Sequence, residues 1–111
     1  MEALAEELRR GIGMICIAFY YEKDEEILLK AKALGERIQK FCSSFLQGNI
    51  YGMEDREYQE LKQYVIQVLE DYLEALEQQD SVYMVDTLDY GLRELVNIYI
   101  DKEEDGREED E

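Results

Sequence analysis

A chain of 111 residues without a single proline is constrained above all toward long, uninterrupted helix. Average usage would place about five prolines in this length. Each one inside a helix removes a backbone donor and clashes with the preceding turn. Strand-based folds are disfavoured on a second count, because short β-branched runs bounded by turn residues are missing. The length accommodates one core rather than two. Apolar residues, at 46% of the chain, are ample to fill it.

Apolar positions recur at three- and four-residue steps in four segments, the pattern of one buried helical face. Residues 2–21 carry Leu4, Leu8, Ile12, Ile15 and Phe19 on that face. Met14, Ile17 and Tyr21 fall on the other side, so this helix is apolar around most of its circumference from residue 11 onward. Residues 25–46 follow after a short connection, with Asp24 as the expected N-cap and an inner face of Ile27, Ala31, Leu34, Ile38, Phe41, Cys42 and Phe45. A glycine-containing loop comes next, and its Ile50 and Tyr51 are expected to tuck against the bundle end.

The third helix, 54–78, has a stripe running from Tyr58 through Leu61, Val65, Val68, Leu69, Tyr72 and Leu73 to Leu76, widened by Tyr64 and Ile66. Asp80 is the expected N-cap of the fourth, 81–101, whose stripe is Val82, Val85, Leu88, Leu92, Leu95, Val96 and Tyr99. Short links between neighbours imply antiparallel packing. The expected fold is therefore all-α, a four-helix up-down-up-down bundle of two hairpins over residues 1–101. The remaining 102–111 are expected to form an acidic, disordered tail.

Net charge is −16 and is unevenly placed. Residues 1–47 hold eight acidic and seven basic side chains, whereas 48–111 hold twenty acidic and five basic. Such acidity repels phosphate backbones and anionic lipid, which argues against nucleic acid and membrane partners. It is compatible with simple solubility, with attraction to a basic partner, or with nucleic acid mimicry. The apolar run Gly11 to Tyr21 is too short for a membrane span, for which about 20 residues are needed. It follows several charges and precedes no clear cleavage site, so a cytoplasmic protein is expected.

Histidine is absent, which removes the usual catalytic triad, the Glu-x-x-His di-iron bundle and most zinc sites. Neither Cys16 nor Cys42 has an imidazole to activate it or a CxxC spacing, so both are expected to be buried thiols. Glycine-rich phosphate loops are missing as well. No cofactor is expected. What survives is carboxylate chemistry, the basis of an alternative reading as a magnesium-dependent hydrolase of the helical type. Glu57, Glu60, Glu77 and Asp80 form its ExxE…ExxD pattern. Both halves fall on one helix, however, and twenty residues at 1.5 Å each set them about 30 Å apart. Asp86 and Asp89 lie at or inside the fourth stripe. An Asp89–Arg93 pair at i,i+4 is the structural account of them, and register specification or ligand contact is the functional one.

The stretch 74–95 carries Ala75, Leu76, Glu77, Asp80, Asp86, Leu88 and Tyr90 in an "ALE-x-x-D" helix end followed by an "aD-x-L-x-Y" helix. It resembles a recurring element of small uncharacterised helical proteins of Gram-positive bacteria. The resemblance covers about a fifth of the chain and implies a helical hairpin in a bacterial protein, with no activity to carry over. Small size, acidity and helical build are also similar to those of secretion and flagellar-export chaperones. The expected function is non-enzymatic: an adaptor or chaperone-like module whose acidic surface, with Tyr83 and Tyr90 facing outward, binds a basic or amphipathic protein segment. Met14, Ile17 and Tyr21 are the expected contacts of a homodimer.

Overall fold

The computed structural model describes residues 2–23, 25–49 and 52–109, with side chains to residue 101. The expected Asp24 cap and the packing of Ile50 and Tyr51 lie outside the described residues. All regular structure among them is helical: α1 Glu2–Tyr20, α2 Ile27–Ala33, α3 Gly35–Leu46, α4 Asp55–Gln78, α5 Ser81–Asp86, a π-helical segment Thr87–Leu92, and α6 Arg93–Glu109. Backbone angles at Asp86 and Arg93 are helical, so the last three pieces form one rod and the described chain has five rods rather than four. None is long and apolar enough to cross a membrane.

Long-range contacts set the directions. Glu7 pairs with Arg37 at 2.9 Å, and Gly11 faces Leu34, so α1 runs antiparallel to α2 and α3. The Tyr58 hydroxyl donates to the Phe45 carbonyl and that of Tyr72 to the Ala31 carbonyl, which makes α4 antiparallel to them in turn. Val68 abuts Gly91 and Tyr83 reaches Asp71, so the last rod reverses again. Cys16 beside Arg93 closes the ring against α1. The shared core is apolar, with Leu8, Ile12, Ile27, Ile38, Phe41, Phe45, Leu92 and Leu95 all buried.

The expected helix 25–46 is split at Leu34, and a residue on another helix is the cause. Tyr72 donates its buried hydroxyl to the Ala31 carbonyl at 2.8 Å, and the Leu34 N–H turns to the same carbonyl at 3.1 Å. A side chain inserted into the backbone ladder is a standard origin of a kink. Gly35 makes room for it, since a Cβ there would sit 3.2 Å from the Tyr72 oxygen. Tyr72→Phe should therefore cost about 1 kcal/mol. Gly35→Ala should be more favourable when combined with Tyr72→Phe than in the native chain, by up to about 1 kcal/mol, because helix propensity is then no longer opposed by the hydroxyl. Urea denaturation of the four proteins reads this coupling, and strict additivity would mean that the hydroxyl does not crowd residue 35.

The turn after α4 follows from local chemistry. Gln79 takes a left-handed φ of 55°, its N–H bonds to the Leu76 carbonyl, and the Asp80 N–H bonds to that of Ala75. That is a Schellman termination. Asp80 then caps α5 by accepting the Tyr83 N–H at 3.1 Å, as its sequence position predicts.

The fourth stripe needs correction. A period of 3.6 residues places Val82 and Asp89 among the buried positions, but the observed burial steps by four, through Met84, Leu88, Leu92 and Val96. The wider π turn absorbs the extra residue. It rotates Val82 outward, where it is 59% exposed, brings Met84 fully inside, and moves Asp89 to the rim. Two features accompany it: the Thr87 hydroxyl back-bonds to the Tyr83 carbonyl, and Gly91 lets the rod approach Val68. On α4, Leu73 likewise faces outward rather than into the stripe. The α6 backbone stays helical to Glu109, and the expected tail's residues 110–111 lie outside the described residues.

Candidate functional site

Two depressions that share Tyr64 in their linings lie along the seam between α4 and the last rod, referred to together as the groove. The first, about 540 Å³, has an apolar floor of Met53, Leu61 and Ile98, with Glu57, Glu60 and Glu94 around it. The second, about 450 Å³, is lined by Tyr64, Tyr83 and Tyr90 with Val68, Asp71 and Asp86. Among the described residues, no lysine or arginine lines either one. The geometry follows from sequence spacing: Glu57, Glu60 and Tyr64 share a face of α4 at three- and four-residue steps, as Asp86 and Tyr90 do on the opposing rod.

Tyr83 and Tyr90, both expected to point away from the core, are placed differently. Tyr90 is 68% exposed. Tyr83 is half-buried, and its hydroxyl stands 2.8 Å from Asp71 Oδ1 and 3.0 Å from Glu74 Oε2. The single phenolic proton lies between two carboxylates that would otherwise repel. Those hydrogen bonds, Asp71 first, push the Tyr83 phenol well above its ordinary range. Gln67 adds a bond to Asp71 at 3.0 Å. Burial, assisted by Glu94, also raises the Tyr64 phenol. Both tyrosines therefore enter the groove as neutral rings bearing a polar tip.

Asp86 and Asp89 have different surroundings, although both carboxylates act on the Tyr20 phenol. Asp86 is exposed and belongs to the groove, whereas Asp89 turns toward α1 and pairs with Arg93 at 3.1 Å. The Arg93 guanidinium also reaches the Cys16 sulfur at 3.6 Å, and its buried Nε has no partner among the described residues. Burial first, then the Asp89 carboxylate, raise the Cys16 thiol, while Arg93 acts in the opposite sense. This cluster ties the π segment to α1 through a half-exposed ion pair, an arrangement worth at most about 1 kcal/mol. Among the described residues, no group of three or more histidine, cysteine, aspartate or glutamate side chains is gathered to hold a metal ion. Glu57 and Glu60 stand near the start of α4 and Glu77 near its end, as the 24-residue helix requires.

The sequence signals for Tyr64, Glu57 and Glu94 are present but point elsewhere. Tyr64 reads as a widening of the stripe, and Glu57 as half of a metal motif; only the juxtaposition of two helices makes them one surface. Met14, Ile17 and Tyr21 are exposed to 70%, 53% and 83%. Compared with family models, curated proteins and solved structures, the chain has no significant match.

Proposed function

We propose that the chain is a protein-interaction module that seats a basic, amphipathic segment in the groove between α4 and the last rod. The supporting observation is the pairing of an apolar floor with carboxylates and, among the described residues, no basic side chain along the lining. An amphipathic helix lays its apolar face into such a groove. Lysine or arginine side chains on its flanks would meet Glu57, Glu60, Glu94 and Asp86, and could stack on the faces of Tyr64 and Tyr90. An adaptor or chaperone-like role follows from holding a segment without changing it. In this reading α2 and α3 act as one bent arm of an up-down-up-down four-helix bundle, a frame that keeps the groove walls at fixed spacing. The binding reading rests on the apolar floor and acidic rim; among the described residues the carboxylates form no group that could hold a metal ion.

The test is a fluorescently labelled amphipathic peptide with arginine and lysine on its polar face, beside a twin bearing glutamates there. Micromolar binding of the first alone is expected, weakening as salt screens the charges. Reversing two exposed carboxylates, Asp86→Lys with Glu94→Lys, should weaken it at least about tenfold, a loss of about 1.4 kcal/mol. Equal affinity for both peptides, or indifference to the double reversal, would sink the reading.

A further inference from the structure

The first helix presents a face that the rest of the chain leaves uncovered. Met14, Ile17 and Tyr21 lie on it at helical steps, with Tyr20 beside them at 50% exposure. The eleven residues from Gly11 to Tyr21 carry no charge, in a chain whose net charge is −16. Two copies repel over most of their surfaces, and this strip carries no charge of its own, with Asp89 and Asp86 bordering only its Tyr20 edge. The charges at its two ends are opposite in sign. Arg9 and Arg10 stand before it, both exposed, and the connection 22–26 after it carries four acidic residues and one basic.

We propose that this face is a homodimer interface, in which α1 packs antiparallel against α1 of a second copy about a twofold axis near Ile17. A twofold interface uses one patch on both subunits and must be self-complementary. An antiparallel register centred on Ile17 meets that demand three times. Ile17 meets its own counterpart. Met14 meets the partner's Tyr20, and Gly13 meets the partner's Tyr21. At Gly13 an added Cβ would find nothing within 4 Å, so the backbone there is open to a seated ring. The same register sets Arg10, on the face of Met14 and Ile17, opposite position 24 in the partner's acidic connection, two residues from Glu22. Two tyrosines and two long aliphatic side chains offer on the order of 500 Å² per copy. Doubled, that reaches about 1,000 Å², the lower bound for a biological interface and the size of a weak, reversible one.

Sedimentation equilibrium on the full chain tests this. A species of twice 13.2 kDa is expected at about 50 μM. Ile17→Glu, at an exposed position, should leave the far-UV circular dichroism unchanged and yield a monomer. Arg10→Glu should raise the dissociation constant at least about tenfold, and adding Glu22→Arg to it should restore most of that loss. The charge pair carries the test on its own if Ile17→Glu disturbs folding. A monomer at every concentration up to about 300 μM would overturn the proposal. So would a dimer that survives Ile17→Glu, or a double charge swap that rescues nothing, since the face would then belong to another occupant or to none.

Discussion

Phe41→Ala is expected to lower the stability of the fold by about 3–5 kcal/mol, the range for deleting a fully buried aromatic ring. The ring is 0% exposed on α3 and stands edge-on to Phe45 at 5.2 Å and to Tyr99 of α6 at 5.8 Å. It therefore joins helices that lie far apart in the chain. Its loss removes apolar burial, two aromatic contacts of about 0.5–1.5 kcal/mol each, and the support of the cavity walls. Small domains are stable by only about 5–15 kcal/mol, so much of the population should unfold at moderate urea. Phe41→Leu, which keeps most of the volume, should recover more than half. The urea midpoint measures both. A loss under about 1.5 kcal/mol for the alanine variant would mean that α3 does not pack on α6 through this ring.

Cys42 should be close to inert in the folded protein. It is fully buried on α3, and burial pushes its thiol from 9.0 up to about 12. Three pH units reduce the thiolate fraction near neutrality about a thousandfold, and reagent access reduces the rate further. Alkylation at pH 8 should thus be at least about a thousandfold slower in buffer than in denaturant, read by mass spectrometry of the modified peptide. The same shift bears on stability. The unfolded thiol releases its proton near pH 9, whereas the folded one keeps it to about 12. Its contribution is accordingly complete below pH 9 and is lost as pH rises toward 12, with a slope of at most about 1.4 kcal/mol per pH unit. Burial raises the Tyr72 phenol as well, which adds to the slope in the same direction. Cys42→Ala should flatten the alkaline decline without abolishing it. An unchanged slope would place the titration elsewhere.

The different fates of Asp80, Leu34 and Asp89 show what is legible in the chain. Asp80 is an N-cap because the groups it satisfies lie within three residues of it. Leu34 sits in the middle of a good helical stripe, yet the helix breaks there on account of Tyr72, whose hydroxyl bonds a carbonyl 41 positions earlier. No local pattern carries that information. Counting at 3.6 residues per turn puts Asp89 in the core, and the count fails because the π segment adds a residue where Gly91 meets Val68. Gly91 is visible as a glycine, but its reason for being one belongs to another helix.

The groove is a product of the same limitation. Its acids and tyrosines are evident in composition, and the excess of charge after residue 47 directs attention to that half of the molecule. Which of twenty carboxylates share a rim depends on how α4 and the last rod face each other, down to the rotation that the π turn introduces.

What the sequence determined by itself is therefore the part governed by near neighbours: helical class, most helix ends, the Asp80 cap, the Asp89–Arg93 spacing and the apolar excess of the first helix. Hydrogen bonding to neighbouring residues and amphipathic period are short-range, and they are written wherever proline is absent. The tertiary structure alone decided the break at Leu34, the phase of the last rod and the alignment of Tyr64 with Glu94 across a groove. Each of these is set by contact between segments distant in sequence, where close packing rather than local propensity selects the conformation.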